Sequence, residues 1–134
     1  MSIPEPNWLG RRSVDAMHAA LIDEHGGSHG VRDSALIESA LARPLNRFAY
    51  AGEECGIAEL SAAYAFALVK NHGYIDGNKR VGLAALLVFL RRNGFRLGAT
   101  EAEAVLIFEQ LAAGGVSEGE LATWVGERLQ PLSR

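Results

Sequence analysis

Cysteine is almost absent. A single one, Cys55, stands in 134 residues, which rules out an internal disulfide and any cysteine-rich zinc module. A surplus of positive charge is missing too. Thirteen Lys+Arg face sixteen Asp+Glu, for a net charge of −3, which argues against a uniformly basic nucleic-acid binder. Long apolar runs are lacking: the longest stretch without a polar side chain, Val81 to Leu90, is ten residues, against the roughly 20 that a bilayer span requires. The start, MSIPEPNWLGRR, has no apolar core, so no signal peptide is expected. No internal repeat, coiled-coil heptad or low-complexity tail is visible. What remains is globular in composition, 49% hydrophobic and 22% charged. The length suffices to bury roughly 68% of the unfolded chain's surface without staples. The expectation is one domain over residues 1–134, cytoplasmic, with no membrane contact and no direct nucleic-acid partner.

The charge that is there is unevenly placed. Between Lys70 and Arg96 six bases (Lys70, Lys79, Arg80, Arg91, Arg92 and Arg96) meet one acid, Asp76. The rest of the chain holds seven bases and fifteen acids. A cationic stretch in an anionic protein points to a local anion site. For Arg91, Arg92 and Arg96 the plainer reading is a solvated helix end, where bases suit the dipole.

Helix punctuation is legible. Ser13 can cap a helix running to about Glu24, with Gly26-Gly27 beyond its end. Asp33 can cap a second helix, which Pro44 is expected to stop near Arg43. Pro44 to Gly56 has no clean helical period and reads as a loop or short extended flap. A long helix fits Ile57 to Asn71, with Leu60, Ala63, Tyr64, Ala67 and Leu68 on one stripe. Another fits Asn78 to Asn93 and ends at Gly94. Thr100-x-x-Glu103 and Ser117-x-x-Glu120 read as capping boxes opening two final helices. About six helices with little strand predict an all-α bundle around a central apolar helix, VGLAALLVFL.

The segment joining the two long helices, His72-Gly73-Tyr74-Ile75-Asp76-Gly77-Asn78-Lys79-Arg80, carries the chemistry. The first N–H groups of the following helix have no intrahelical partners, and its dipole is positive there. Gly77 permits close backbone approach by a ligand, and Asn78, Lys79 and Arg80 add donors and charge. Two adjacent cations at a helix N-terminus are unfavourable unless an anion neutralises them. Phosphate fits, because Arg meets its oxygens bidentately and Lys acts as a point charge. Asp76 is either the N-cap or a Mg²⁺ ligand, since magnesium takes one or two carboxylates plus substrate phosphates. His72 is either a helix-end packing residue or a base for an attacking hydroxyl. Tyr74 is expected to anchor the loop in the core. His18 reads as structural, His25 and His29 as flanks of a glycine turn, and Cys55 as inert. The loop is no Walker A motif, because its glycine spacing differs and no Ser/Thr follows the lysine.

The string H-G-Y-I-D-G-N-K-R resembles the signature of the Fic/Doc family, H-x-F-x-D/E-G-N-G-R-x-x-R. Tyr74 replaces the usual Phe. Lys79 stands at the second glycine and Leu83 at the second arginine. The last two departures are those of the Doc (death-on-curing) toxin branch, H-x-F-x-D-A-N-K-R, whereas Gly77 is Fic-like. Further similarity to that branch lies in His25-Gly26-Gly27 with Gly30-Val31-Arg32-Asp33, in Arg47-Phe48-Ala49-Tyr50 before Glu53-Glu54, and in Leu90-Arg91-Arg92-Asn93-Gly94.

The resemblance implies the Fic/Doc fold with a short flap that positions a target peptide. It implies a toxin of a type II toxin–antitoxin system that uses ATP and Mg²⁺ to phosphorylate a threonine of elongation factor Tu and arrest translation. His72 would then be the general base and Asp76 the Mg²⁺ ligand. Gly77, Asn78, Lys79 and Arg80 would hold phosphates. The partner would be an antitoxin whose disordered C-terminal segment folds on the toxin. AMP transfer to a protein hydroxyl and a non-catalytic antitoxin-binding module are the alternatives.

Overall fold

The computed structural model describes residues 5–51 and 55–132. Among these lie α1 (Arg11–His25), α2 (Ser34–Ala51), α3 (Ile57–Asn71), α4 (Asn78–Arg92), β1 (Phe95–Leu97), α5 (Glu101–Ala112), α6 (Glu118–Arg128) and β2 (Leu129–Pro131). The bundle is all-α apart from one antiparallel ribbon, in which Phe95 faces Pro131 and Leu97 faces Leu129. No helix of the described residues is long and apolar enough to cross a membrane.

The apolar stretch from Val81 shares the centre with α3. The two helices pack against each other along their length, and each buries two faces. One face (Leu60, Tyr64 and Leu68 of α3; Val81, Ala85 and Phe89 of α4) meets α1 and α2. The opposite face (Ala62, Ala65 and Val69; Leu86 and Leu90) meets Phe108 and Leu111 of α5 and Leu121 and Val125 of α6. Each fully buried leucine here contributes roughly 1.5–3 kcal/mol relative to exposure. The Tyr64 hydroxyl, inside the first core, accepts the Leu9 N–H at 3.0 Å.

Five boundaries follow the sequence closely. The α3 helix spans the expected residues, and α4 ends at Arg92, with Asn93 as its C-cap and Gly94 at φ 89°. Both capping boxes form, with Thr100 accepting from the Glu103 N–H and Ser117 from the Glu120 N–H.

Two differ. The first helix opens at Arg11 from an extended Gly10, so Ser13 lies inside it, and its hydroxyl accepts from Arg92 instead of capping. The larger correction concerns residues 44–56. The second helix does not stop at Arg43. It runs through a buried Pro44 to Ala51. An interior proline forfeits one backbone hydrogen bond and costs about 3 kcal/mol in an isolated helix. Tertiary contacts beyond it offset that cost: Phe48 packs edge-on against Trp8 at 5.6 Å, and Arg47 reaches the nearly buried Glu118 at 3.6 Å, beside Arg43 at 2.6 Å from the turn before the proline. Residues 52–54, including Glu53 and Glu54, lie outside the described residues. What is described of the expected flap is therefore helix up to Ala51 and the short lead-in Cys55-Gly56 to α3.

Candidate active site

The loop between α3 and α4 is built by forcing one residue and pinning the rest. His72 ends α3 in the left-handed region, φ 54° and ψ 48°, the only non-glycine with positive φ among the described residues. Such a conformation costs roughly 1–2 kcal/mol. Arg32 holds it: its Nε donates to the His72 carbonyl at 2.7 Å and its second amino group to the Asn71 carbonyl at 3.1 Å. These are carbonyls that a helix end otherwise leaves unpaired. The Gly73 carbonyl accepts the Arg32 and Asp33 N–H groups, and Asp33 in turn offers a side-chain oxygen to the Leu36 N–H at the start of α2.

Tyr74 points inward and is 1% exposed, as expected of an anchor. Its hydroxyl donates to the Asp15 carboxylate. Burial first, then the Asp15 hydrogen bond and charge, push the Tyr74 hydroxyl well above its ordinary range, so it stays a donor. Asn78 returns to the same residue: its Oδ1 accepts the Tyr74 N–H at 3.1 Å and its Nδ2 donates to the Tyr74 carbonyl at 3.0 Å. The Asn78 side chain therefore closes the loop on itself. What this residue offers the cleft is its main-chain N–H.

Asp76 is not the N-cap. That position is Gly77, at φ 77° and ψ 20°, a left-handed conformation that favours glycine. The Asp76 carboxylate instead takes two backbone donors, Gly77 N–H on Oδ1 at 2.8 Å and Ser28 N–H on Oδ2 at 3.1 Å. These two bonds, Ser28's the larger, with the nearby Arg80 and His18, hold its carboxyl below the ordinary carboxylate range. A fixed, ionised carboxylate with one lone pair left on each oxygen results.

No side chain of the described residues caps α4. Its first intrahelical bond runs from the Val81 N–H to the Gly77 carbonyl, so the N–H groups of Asn78, Lys79 and Arg80 have no intrahelical partner. Lys79 reaches across to Glu109 of α5 at 3.0 Å. Arg80 donates one amino group to the Gly26 carbonyl at 2.9 Å and keeps its other donors.

All six residues singled out from the sequence, His72, Asp76, Gly77, Asn78, Lys79 and Arg80, line one cleft of about 480 Å³, a size in the ordinary range for small-molecule sites. Val69, Leu83, Val105, Phe108, Glu109 and Ala112 complete it. The donor set bears on a metal. No cluster of three or more His, Cys, Asp or Glu side chains exists among the described residues. Asp76 and Glu109 are the carboxylates of the cleft. That does not make a self-sufficient protein cage, but it fits a magnesium ion that brings phosphate oxygens and water with it.

Sequence reasoning missed four contributors. Arg32 stood out only within the Doc-like segment Gly30-Val31-Arg32-Asp33, with no role attached. Gly27 and Ser28 looked like turn residues, and His18 like packing. The α5 wall gave no signal, since an i, i+3, i+4, i+7 spacing (Val105, Phe108, Glu109, Ala112) marks any core-facing stripe. His25 and His29 are exposed and lie beside Glu24 at 3.8 Å and Asp23 at 2.8 Å. Cys55 is buried, which pushes its thiol up.

Comparison with known proteins places these features in a lineage. The model of the Fic/DOC family matches residues 8–90. The protein named protein kinase doc of Escherichia phage P1 is 39% identical over 82 residues, which is 61% of this chain and 64% of that protein. Toxin Doc of Mycolicibacterium smegmatis (strain ATCC 700084 / mc(2)155) is 38% identical over 74 residues, 55% of this chain and 57% of that protein. The chain thus spans less than two thirds of the length of each of these relatives.

Proposed function

The chain belongs to the Fic/DOC family, and from that premise we propose that it is a toxin of a toxin–antitoxin pair that moves the γ-phosphoryl group of ATP onto a protein hydroxyl. One observation carries the reading: an uncapped helix start bearing Lys79 and Arg80 shares a single cleft with the imidazole of His72 and the carboxylate of Asp76. Phosphoryl transfer asks a protein mainly to position groups and to neutralise charge, and this set has the parts.

The roles follow from the chemistry of each group. A target hydroxyl attacks the γ-phosphorus in line. A new O–P bond forms as the bond to the β–γ bridging oxygen breaks, and ADP leaves. His72 takes the hydroxyl proton. Lys79, Arg80 and the main-chain N–H groups of Asn78, Lys79 and Arg80 face the phosphate oxygens, as charged helix starts do. Asp76 would hold Mg²⁺, which when bound neutralises the charge on the bridging and leaving oxygens. The target is a threonine of elongation factor Tu. The partner is an antitoxin whose disordered C-terminal segment orders on binding. These two assignments are what the resemblance of the His72–Arg80 string to the Doc branch implies; the relatives' names support a toxin and a protein kinase.

AMP transfer is the second reading, and Gly77 is what favours it. The left-handed φ of Gly77 accounts for that glycine by conformation alone, while Lys79 and Leu83 oppose AMP transfer.

The test uses ATP labelled at the γ- or the α-phosphate, with purified elongation factor Tu and a bacterial lysate as targets. Wild-type protein is expected to transfer γ-label. His72→Ala is expected to lose at least about a hundredfold of that rate while melting like the wild type. Transfer of α-label instead would establish AMP transfer. No transfer at all, alongside tight antitoxin binding, would make the chain a binding module.

A further inference from the structure

The carboxylate of Asp76 is oriented by residues that belong neither to its loop nor to α4. His18 sits on the buried stripe of α1 with Val14 and Ile22 and is 4% exposed. Its Nε2 lies 2.7 Å from the main-chain carbonyl of Asp76. A carbonyl only accepts, so Nε2 carries the proton and donates. The ring also stacks on Tyr74, centroids 3.9 Å apart and planes 12° from parallel. The imidazole is thereby fixed in both plane and tautomer.

The same carboxylate is held from the other side by the turn after α1. Ser28 N–H donates to Oδ2, and Gly27, at φ +115°, presses so close that a Cβ there would stand 2.6 Å from Oδ2. Ile22 and His18 floor the neighbouring Gly77, where a Cβ would come within 3.0 Å and 3.6 Å of them. Asp76 is therefore gripped at its carbonyl, at Oδ1 and at Oδ2, and two of the three donors come from α1 and its following turn.

We propose that His18 is a positioning residue for Asp76: it donates to the carbonyl, stands flat against Tyr74, and fixes the backbone from which the carboxylate presents its free lone pairs to the cleft. It touches no substrate. The part of this inference that concerns a metal rests on the reading of the cleft given above. The part that concerns geometry does not. Groups that orient a ligating side chain from behind typically change metal affinity by 10–100-fold when removed.

Three variants test it. His18→Phe keeps a flat ring against Tyr74 and removes the donor. His18→Gln restores an amide donor. Gly27→Ala pushes the same carboxylate from the opposite side. The first measurement is amide hydrogen exchange, which needs no ligand. In His18→Phe and Gly27→Ala the Ser28 and Gly77 amides are expected to exchange about tenfold faster or more, with amides in α5 and α6 unchanged and with His18→Gln close to wild type. The second measurement is calorimetric binding of ATP with and without Mg²⁺. His18→Phe is expected to raise the half-saturating Mg²⁺ by about tenfold and to leave metal-free ATP binding alone.

Uniformly faster exchange throughout the chain, identical behaviour of the Phe and Gln variants, or wild-type exchange at Ser28 and Gly77 in His18→Phe would each overturn the proposal. Wild-type protein that binds no magnesium nucleotide would sink the reading of the cleft. The exchange comparison would still decide the role of His18 by itself.

Discussion

One wall of the cleft is the α3–α4 junction, with an imidazole at the end of α3, a carboxylate in the loop and two cations at the start of α4. The other, α5, presents Val105, Phe108 and Ala112 around one carboxylate, Glu109. The first wall is expensive to build. It needs a left-handed histidine, a left-handed glycine, an arginine across two helix-end carbonyls and an asparagine folded back on its own loop. The second is an ordinary amphipathic helix opened by a capping box. The family match ends at residue 90, so the costly wall lies inside it and the plain wall outside. Reactive groups concentrate where backbone and side chains are over-determined. Shape and apolar contact come from a face that any packed helix provides.

Breaking the plain wall is expected to cost the most stability. Phe108 is 3% exposed and packs in the second core beside the cleft. Phe108→Ala should lose about 3–5 kcal/mol, read from urea denaturation. Breaking the costly wall should do the opposite. Lys79→Gln is expected to leave the denaturation midpoint near wild type and to weaken magnesium-ATP binding by about tenfold, the worth of one charge-assisted hydrogen bond of about 1.5 kcal/mol, measured by calorimetry. If Lys79→Gln unfolded the protein, or Phe108→Ala left it as stable, the division between the two walls would fail.

The expectations drawn from sequence divide along the same line. Every residue placed in the site from the string His72 to Arg80 lies on the cleft, because helix punctuation and charge at a helix start are local properties. Both capping boxes and the bounds of α3 were legible for the same reason. The second helix was not. Pro44 is a local stop signal, and contacts distant in sequence, Phe48 with Trp8 and Arg47 with Glu118, override it. The string also does not report that both ends of the Asn78 side chain bond to the Tyr74 backbone, which leaves its main-chain N–H for the cleft. His18, Ser28 and Arg32 could not be read as loop supports, since nothing along the chain reports which backbone atoms they will meet.

A smaller effect joins the two walls. Lys79 and Glu109 form the ion pair that spans them, and both side chains are about half exposed. Such pairs are worth roughly 0.2–1 kcal/mol. Glu109→Gln removes an internal competitor for the lysine, so ATP should bind up to a few-fold more tightly with little change in melting temperature. Weaker binding would mean that Glu109 contributes to the ligand rather than competing for Lys79.

The smallest effect is one of pH. The carboxyl of Asp76 is held down in the folded chain, chiefly by Ser28 N–H. A depressed carboxyl adds stability above its unfolded value of about 3.9 and loses it as pH falls through the lower folded value. The wild type should therefore melt above Asp76→Asn near pH 6, and the gap should narrow as the solution is taken below about pH 4. A gap that widens in acid would contradict the hydrogen bonding assigned to this carboxylate.

The most direct test is calorimetric titration of the purified chain with ATP, with and without Mg²⁺, and with inorganic triphosphate as competitor. The account predicts saturable binding that strengthens with magnesium, is displaced by triphosphate alone and is lost when Lys79 and Arg80 are both changed to Gln. Binding that triphosphate cannot displace, or that survives the double change, would place the anion elsewhere and contradict it.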